Sequence, residues 1–328
     1  MNPPNRGKAS PAMRTLPRHL PWLAALVALI VVAALAAFVV AWLTAPSIAD
    51  LQARVRATDE ALGAHPVSLH AVAPVMREAI VATEDERFYR HDGIDVVGIL
   101  RAIPYDLSHL SLAEGASTIT EQLAKLVYLG GNDHDPWAKL RDAAIALRID
   151  AHYSKEQILA DYLNTVYFGA GAYGIQAASE RYFGVRASRL TLARASLLAG
   201  LVQDPSADQP YLDPLDARQR QAAALTSMVR NGYVTATEAR RALVRPVRLA
   251  AGGPLPPLRG VSIRPGPPFY WAELGLGVGL VALGVAGAVG LRMARPRLAR
   301  LAALGSRVAT VFAIAAGAFL VLGSFRGV

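Results

Sequence analysis

Three segments of the chain concentrate polar side chains beyond what helix packing explains. Ala82–Asp95 reads ATEDERFYRHDGID and gathers Glu84, Asp85, Glu86, Asp92 and Asp95 around His91. Gly115–Lys125 reads GASTITEQLAK, a run of hydroxyls with a glutamine that ends on a lysine. Lys139–Asp150 reads KLRDAAIALRID and mixes both signs of charge. A fourth segment, Tyr162–Gly184, is mainly apolar with recurrent glycine, YLNTVYFGAGAYGIQAASERYFG. Carboxylates suit proton transfer, because a positioned Asp or Glu can take the proton of a weak nucleophile. Hydroxyl and cationic donors suit a site where negative charge gathers. Each feature also has a plainer reading. A Glu-Asp-Glu run is ordinarily a solvated surface. Thr118 and Thr120 suit turn or cap positions, and His91 suits a structural hydrogen bond. Tyr167, Phe168, Tyr182 and Phe183 suit a packed core better than a binding platform.

The elements that must position these groups read as helices. Ser154 predicts an N-cap for KEQILADYLN, with Gln157 three residues on as in a capping box. Ile158, Leu159, Tyr162 and Leu163 then form an apolar stripe at helical spacing. Leu190–Leu201 and Ala217–Val229 read the same way, alternating strand-like runs are scarce, and no internal repeat is visible. The fold class expected is mainly α.

The chain has 328 residues, a formal charge of +9 and no cysteine, so disulfides and thiolate metal sites are excluded. Of 34 basic and 25 acidic residues, residues 1–20 and 251–328 hold twelve basic and one acid, leaving 22 and 24 in between. The middle is near neutral, which argues against a nucleic-acid groove with its clustered Lys and Arg. The excess charge flanks apolar segments instead. Pro21–Ala45 carries no charge and exceeds the ~20 residues that span a bilayer, with Trp22 and Trp42 near its ends. It is too long for the apolar region of a cleaved signal peptide. Leu274–Leu291 and Val308–Phe325 are similar, and the loop between them holds Arg292, Arg295, Arg297, Arg300 and Arg307 without an acid. By the positive-inside rule, the N-terminus and this loop face the cytoplasm. The layout expected is a basic tail (1–20), an anchor (21–45), an extracytoplasmic domain (46–243) and a Pro/Gly-rich linker (244–269). A membrane helix (270–291), a basic loop (292–307) and a last membrane helix (308–325) follow.

The four polar and glycine-rich segments, in this order and spacing, resemble the peptidoglycan glycosyltransferase family (family 51). That family comprises monofunctional transglycosylases and the glycosyltransferase module of class A penicillin-binding proteins. The first segment fits E-D-x-x-F-x-x-H-x-G-x-D at Glu84, Asp85, Phe88, His91, Gly93 and Asp95. The second fits G-[GA]-S-T-[IL]-T-x-Q-x-x-K at Gly115, Ala116, Ser117, Thr118, Ile119, Thr120, Gln122 and Lys125. The fourth fits Y-L-N-x-x-Y-F-G and a later Y-F-G, and Leu197–Ser206 looks like the family's following helix and turn. The resemblance covers roughly Val72 to Ala242.

The resemblance implies a lysozyme-like helical fold and polymerisation of lipid II. The 4-hydroxyl of the acceptor would attack the anomeric carbon of an undecaprenyl-pyrophosphate-linked donor, with inversion. Glu84 matches the general base, and Asp142 stands for the second carboxylate. Ser117, Thr118, Gln122 and Lys125 match donor-site positions, to which Lys139 and Arg141 add positive charge. Asp85, Phe88, His91, Gly93, Asp95 and Gly115 would support the site. A divalent cation, Mg²⁺ or Mn²⁺, would assist the leaving pyrophosphate. Partners would be lipid II, lipid-linked glycan, the cytoplasmic membrane and cell-wall synthesis proteins reached through the C-terminal membrane helices.

The chain departs from the family at the third motif, usually R-K-x-x-E, which here is Ala138, Lys139, Leu140, Arg141, Asp142. Glu121 and Leu126 replace a usual Gln and Asn in and after the second motif, and Ala160 replaces a common Glu. A degenerate lipid II-binding scaffold and a lysozyme-like hydrolase are the competing readings. No S-x-x-K with a downstream K-T-G is present, so no transpeptidase chemistry is expected.

Overall fold

The computed structural model describes residues 20–99, 117–129, 136–258 and 263. The tail before residue 20, Gly115, the loop 292–307 and the two segments expected as C-terminal membrane helices fall outside the described residues. The chain divides into two compact units, Met1–Gly266 and Pro267–Val328, and the described residues belong to the first.

The described residues are mainly helical, and their only β-pairings are isolated bridges at Tyr167–Tyr173 and Arg248–Pro254. The helices are α1 (Leu20–Thr44), α2 (Leu51–Leu62), α3 (Pro74–Glu84), α4 (Ile119–Tyr128), α5 (Pro136–His152) and α6 (Lys155–Thr165). They continue as α7 (Ile175–Phe183), α8 (Leu192–Leu201), α9 (Pro214–Arg230) and α10 (Ala236–Val244). Helix α3 packs on α8 and α9, which also pack on each other. Helix α4 packs on α5 and α6, and α5 in turn carries α1. The end of α3 and the start of α4 are tied by hydrogen bonds from the Ile119 N–H to Asp85 and from the Gln122 amide to Glu84.

Local sequence explains the helix starts. Ser154 accepts from the Gln157 N–H at 3.2 Å, and the Gln157 side chain accepts from the Ser154 N–H at 3.0 Å. This is the capping box expected there, and Ile158, Leu159, Tyr162 and Leu163 are all fully buried behind it. Thr235 with Glu238 starts α10 in the same way, and Asp213 caps α9 ahead of Pro214. Phe168, Tyr182 and Phe183 are core residues, as their type suggested, and Tyr167 is half-buried against Tyr173.

One boundary moves. The stretch read as a linker from residue 244 is, in its described part, docked on the domain. Val247, Leu249 and Leu255 join the core. The Ala250 N–H donates to the Tyr182 carbonyl at 2.8 Å. Buried Arg218 donates to the Pro256 carbonyl at 3.2 Å, and also reaches the Leu243 carbonyl and Gln221. Proline and glycine shape this strap, while its few apolar side chains seat it. Composition reports only the first of these.

Helix α1 has 25 residues and no charged side chain. Its side chains are described from Leu29 onward, Val31 excepted. Counted over those described residues, no helix is long and apolar enough to cross a membrane. Along that stretch Leu29, Ile30, Val39 and Leu43 are among the exposed large apolar side chains.

Candidate active site

Glu84 is the last residue of α3, and the helix stops at Asp85, whose backbone leaves helical geometry at φ −156° and ψ 77°. The two carboxylates therefore diverge. Asp85 is buried and structural. Its oxygens meet His91 Nε2 at 2.9 and 3.0 Å, and Oδ2 accepts from the Ile119 N–H at 3.0 Å. Asp85 thus ties the first motif to the start of α4, and His91 is its orienting partner. Phe88 is fully buried beneath the turn, with the Lys155 ammonium 4.6 Å from its ring centroid. Asp95 accepts from Arg87 Nε at 3.1 Å and from the Gly98 N–H at 2.9 Å. Gly93 has φ 86°, and a Cβ there would lie 2.7 Å from the Ala146 carbonyl oxygen. Only glycine lets this loop press on the backbone of α5.

Glu84 is only partly buried. Its Oε2 accepts from Gln122 Nε2 at 2.9 Å. Burial raises its proton affinity above the ordinary carboxylate range; the Gln122 bond opposes this, and the charge of Asp85 adds to it. A carboxylate of raised proton affinity suits the role of general base. Gln122, expected on the donor side, is hydrogen-bonded to Glu84. Its amide oxygen accepts from the Tyr162 hydroxyl at 2.8 Å. The sequence pointed to Tyr162 as part of an apolar stripe and as the start of the Y-L-N-x-x-Y-F-G pattern, with no partner for its hydroxyl.

Thr118 takes the capping role that its type also allowed. It is buried, accepts from the Glu121 N–H at 3.1 Å, and donates to the Gly93 carbonyl at 2.6 Å. Glu121 completes the box by accepting from the Thr118 N–H at 2.8 Å. Thr120 is fully buried and donates to Asp150 Oδ2 at 3.2 Å. Ser117 and Lys139 come together, with the Lys139 ammonium donating to the Ser117 hydroxyl.

Asp142 lies on α5, 5 % exposed, with Oδ1 buried and lacking a hydrogen-bond partner. Burial and then the neighbouring charge of Glu121 push its pKa up to about 6, against the pull of Lys125, Lys139 and Arg141. Glu121 is raised as well, chiefly by burial. The Glu121 departure from the family pattern therefore has a structural consequence: it sets a second acid beside Asp142. Ala138, where the family carries arginine, is fully buried. The structure brings Ser117, Lys125, Lys139 and Arg141 around this acidic pair and links it through α4 to Glu84. Among the described residues, no group of three or more His, Cys, Asp or Glu side chains could hold a metal ion.

A carboxylate of raised proton affinity, beside hydroxyl and cationic donors on a helical scaffold, fits a transferase that activates a hydroxyl against an anionic leaving group. The comparisons define the class further. The transglycosylase family model matches residues 52–229, more than half of the chain. The chain belongs to that family, and its folded domain is a peptidoglycan glycosyltransferase domain. A Cupriavidus necator protein that carries a transglycosylase name is 46% identical over 171 residues, 52% of this chain and 73% of that protein. Penicillin-binding protein 1F of Bacillus subtilis is 41% identical over 174 residues, 53% of this chain and 24% of its own. Penicillin-binding protein 1A of Escherichia coli is 40% identical over 170 residues, 52% of this chain and 20% of its own. The chain thus spans about a quarter or less of these two penicillin-binding proteins. The solved penicillin-binding protein 1A of Haemophilus influenzae is similar at 21% identity and a TM-score of 0.35, over 57% of this chain and 18% of its own.

Proposed function

We propose that the protein polymerises lipid II into glycan strands on a lysozyme-like helical domain at the outer face of the bacterial cytoplasmic membrane. One observation carries the reading: Glu84 ends α3 with one oxygen held by Gln122 and a proton affinity raised by burial. Glu84 takes the proton of the acceptor 4-hydroxyl. That oxygen forms the new bond to the anomeric carbon of the donor from the face opposite the leaving group. The bond from that carbon to the lipid pyrophosphate breaks, and the configuration inverts. Lys125, Lys139, Arg141 and the Ser117 hydroxyl receive the negative charge that gathers on the pyrophosphate. Asp142 orients the donor among these cations.

No protein cage for a divalent cation is offered by the described residues. Mg²⁺ commonly binds through one or two carboxylates plus substrate phosphates, so Mg²⁺ or Mn²⁺ would be held together with the bound pyrophosphate. The reading includes α1 as a membrane anchor, supported by its uncharged length and its exposed apolar side chains. It includes the two C-terminal apolar segments as further spans that meet cell-wall synthesis proteins.

The test is polymerisation of labelled lipid II by the purified full-length protein in detergent, with Mg²⁺ or Mn²⁺, alongside Glu84→Gln. Glycan ladders that fall by about 10²–10⁴-fold in the variant are expected. Lipid II binding without ladders from the parent would replace this reading with a non-catalytic scaffold. Release of soluble fragments from preformed peptidoglycan would replace it with a hydrolase.

A further inference from the structure

We propose that Tyr162 is a positioning residue for the general base, its hydroxyl holding the Gln122 amide in the orientation that donates to Glu84. The inference rests on the assignment of Glu84 as base. Tyr162 sits in the buried stripe of α6, where Ile158, Leu159 and Leu163 account for packing. A phenylalanine would serve that packing equally well. The hydroxyl is what packing leaves unexplained, and a buried hydroxyl needs a partner. Its partner is Gln122 Oε1 at 2.8 Å, and Gln122 Nε2 stands 2.9 Å from Glu84 Oε2.

A glutamine amide has one accepting end and one donating end. Turned over, Gln122 would set its carbonyl oxygen against the Glu84 carboxylate, with lone pairs facing charge. The Tyr162 O–H favours the productive arrangement because it donates to the carbonyl end. Burial and the nearby Glu84 and Asp85 hold the Tyr162 pKa well above its ordinary value, so it remains a donor. The two bonds run in one direction, from phenol to amide to carboxylate, and each polarises the next. The ring is fully buried, so the anchor cannot swing away. Glu84 Oε2 is occupied by this relay, which leaves Oε1 for the acceptor proton. Among the described residues, the titratable groups acting on Glu84 are Asp85 beside it and Tyr162 across the site.

The experiment compares the full-length parent, Tyr162→Phe, Gln122→Ala and the double variant in detergent micelles. Tyr162→Phe keeps the ring and is expected to lower kcat about tenfold, the rate equivalent of one hydrogen bond, with KM unchanged. The acid limb of its pH–rate profile should move to higher pH, because the Gln122 bond lowers the proton affinity of Glu84. In the Gln122→Ala background, Tyr162→Phe should have no further effect, since Tyr162 acts through that amide. Parent-like kcat with an unmoved acid limb, or losses that multiply in the double variant, would overturn the proposal. A second readout needs no turnover: the ¹³C titration of the Glu84 carboxyl should shift to a higher midpoint in Tyr162→Phe, and an unmoved midpoint would overturn the relay. If Glu84→Gln kept full activity, the base assignment would fall, and this titration would still decide on Tyr162.

Discussion

The Thr118 hydroxyl donates to the Gly93 carbonyl at 2.6 Å and, as the N-cap of α4, accepts from the Glu121 N–H. One side chain thereby fastens the first motif to the second. Gly93 can lie there only because it lacks a Cβ, which would strike the backbone of α5, so three segments meet at this point. Thr118→Val keeps the volume and removes both hydrogen bonds. Losing a cap and a buried bond costs about 2 kcal/mol, which lowers the unfolding temperature by about 4–8 °C for a domain of this size. Thr118→Ser should recover most of it. Thermal unfolding of the two variants checks this. Equal, parent-like melting would show that Thr118 is free of the cap and available to substrate.

Asp142 offers a pH-dependent prediction. Its pKa rises from an unfolded value near 3.8 to about 6 in the folded protein, so the folded state binds more protons between those values. Stability from this group is full below its unfolded pKa and is lost as pH rises through about 6. At neutral pH the ionised carboxylate is a cost. Asp142→Asn should therefore melt a few degrees above the parent at pH 7 and lose that advantage near pH 4, while its polymerising activity falls. Glu84, Glu121, Asp59 and Asp161 are also raised, so the difference between parent and variant is the quantity to measure. A difference that stays constant from pH 4 to pH 7 would show that Asp142 ionises without penalty.

What the sequence made legible follows the range of the interactions. The capping box at Ser154 was readable because both partners lie within one turn. Glu84, Asp85 and His91 were readable as a cluster because they lie within eight residues. Gln122 stood out as part of the second motif, yet its partners did not, since Glu84 and Tyr162 reach it from 38 and 40 residues away. The hydroxyl of Tyr162 was masked by its ring, which satisfied the helical stripe by itself. Residues 247–255 failed for the opposite reason: Pro and Gly dominated their composition, while three buried apolar side chains decided their placement. Glu121 stood out only as a departure from a pattern, and its charge beside Asp142 needed the packing of α4 on α5.

Arg148 joins the apolar helix to the site. It lies on α5, which also carries Lys139, Arg141 and Asp142. Its guanidinium donates to the carbonyls of Ala45 at 3.0 Å and Pro46 at 3.2 Å, and also to that of Trp42. Its Cζ lies 4.7 Å from the centroid of the Trp42 ring. A cation at the end of α1 complements the carbonyls that a helix leaves unpaired there. The planar fork reaches several carbonyls at once, which a lysine ammonium on a single stem cannot reproduce. Arg148→Lys and Arg148→Ala should both cost about 2 kcal/mol, or about 4–8 °C in melting temperature. They should also expose the segment from Ala45 to Asp50 to limited proteolysis. The Arg148→Lys variant is the sharper test, because it keeps the charge. If it melts and resists protease like the parent, charge alone holds the junction, and the forked contact contributes nothing to it.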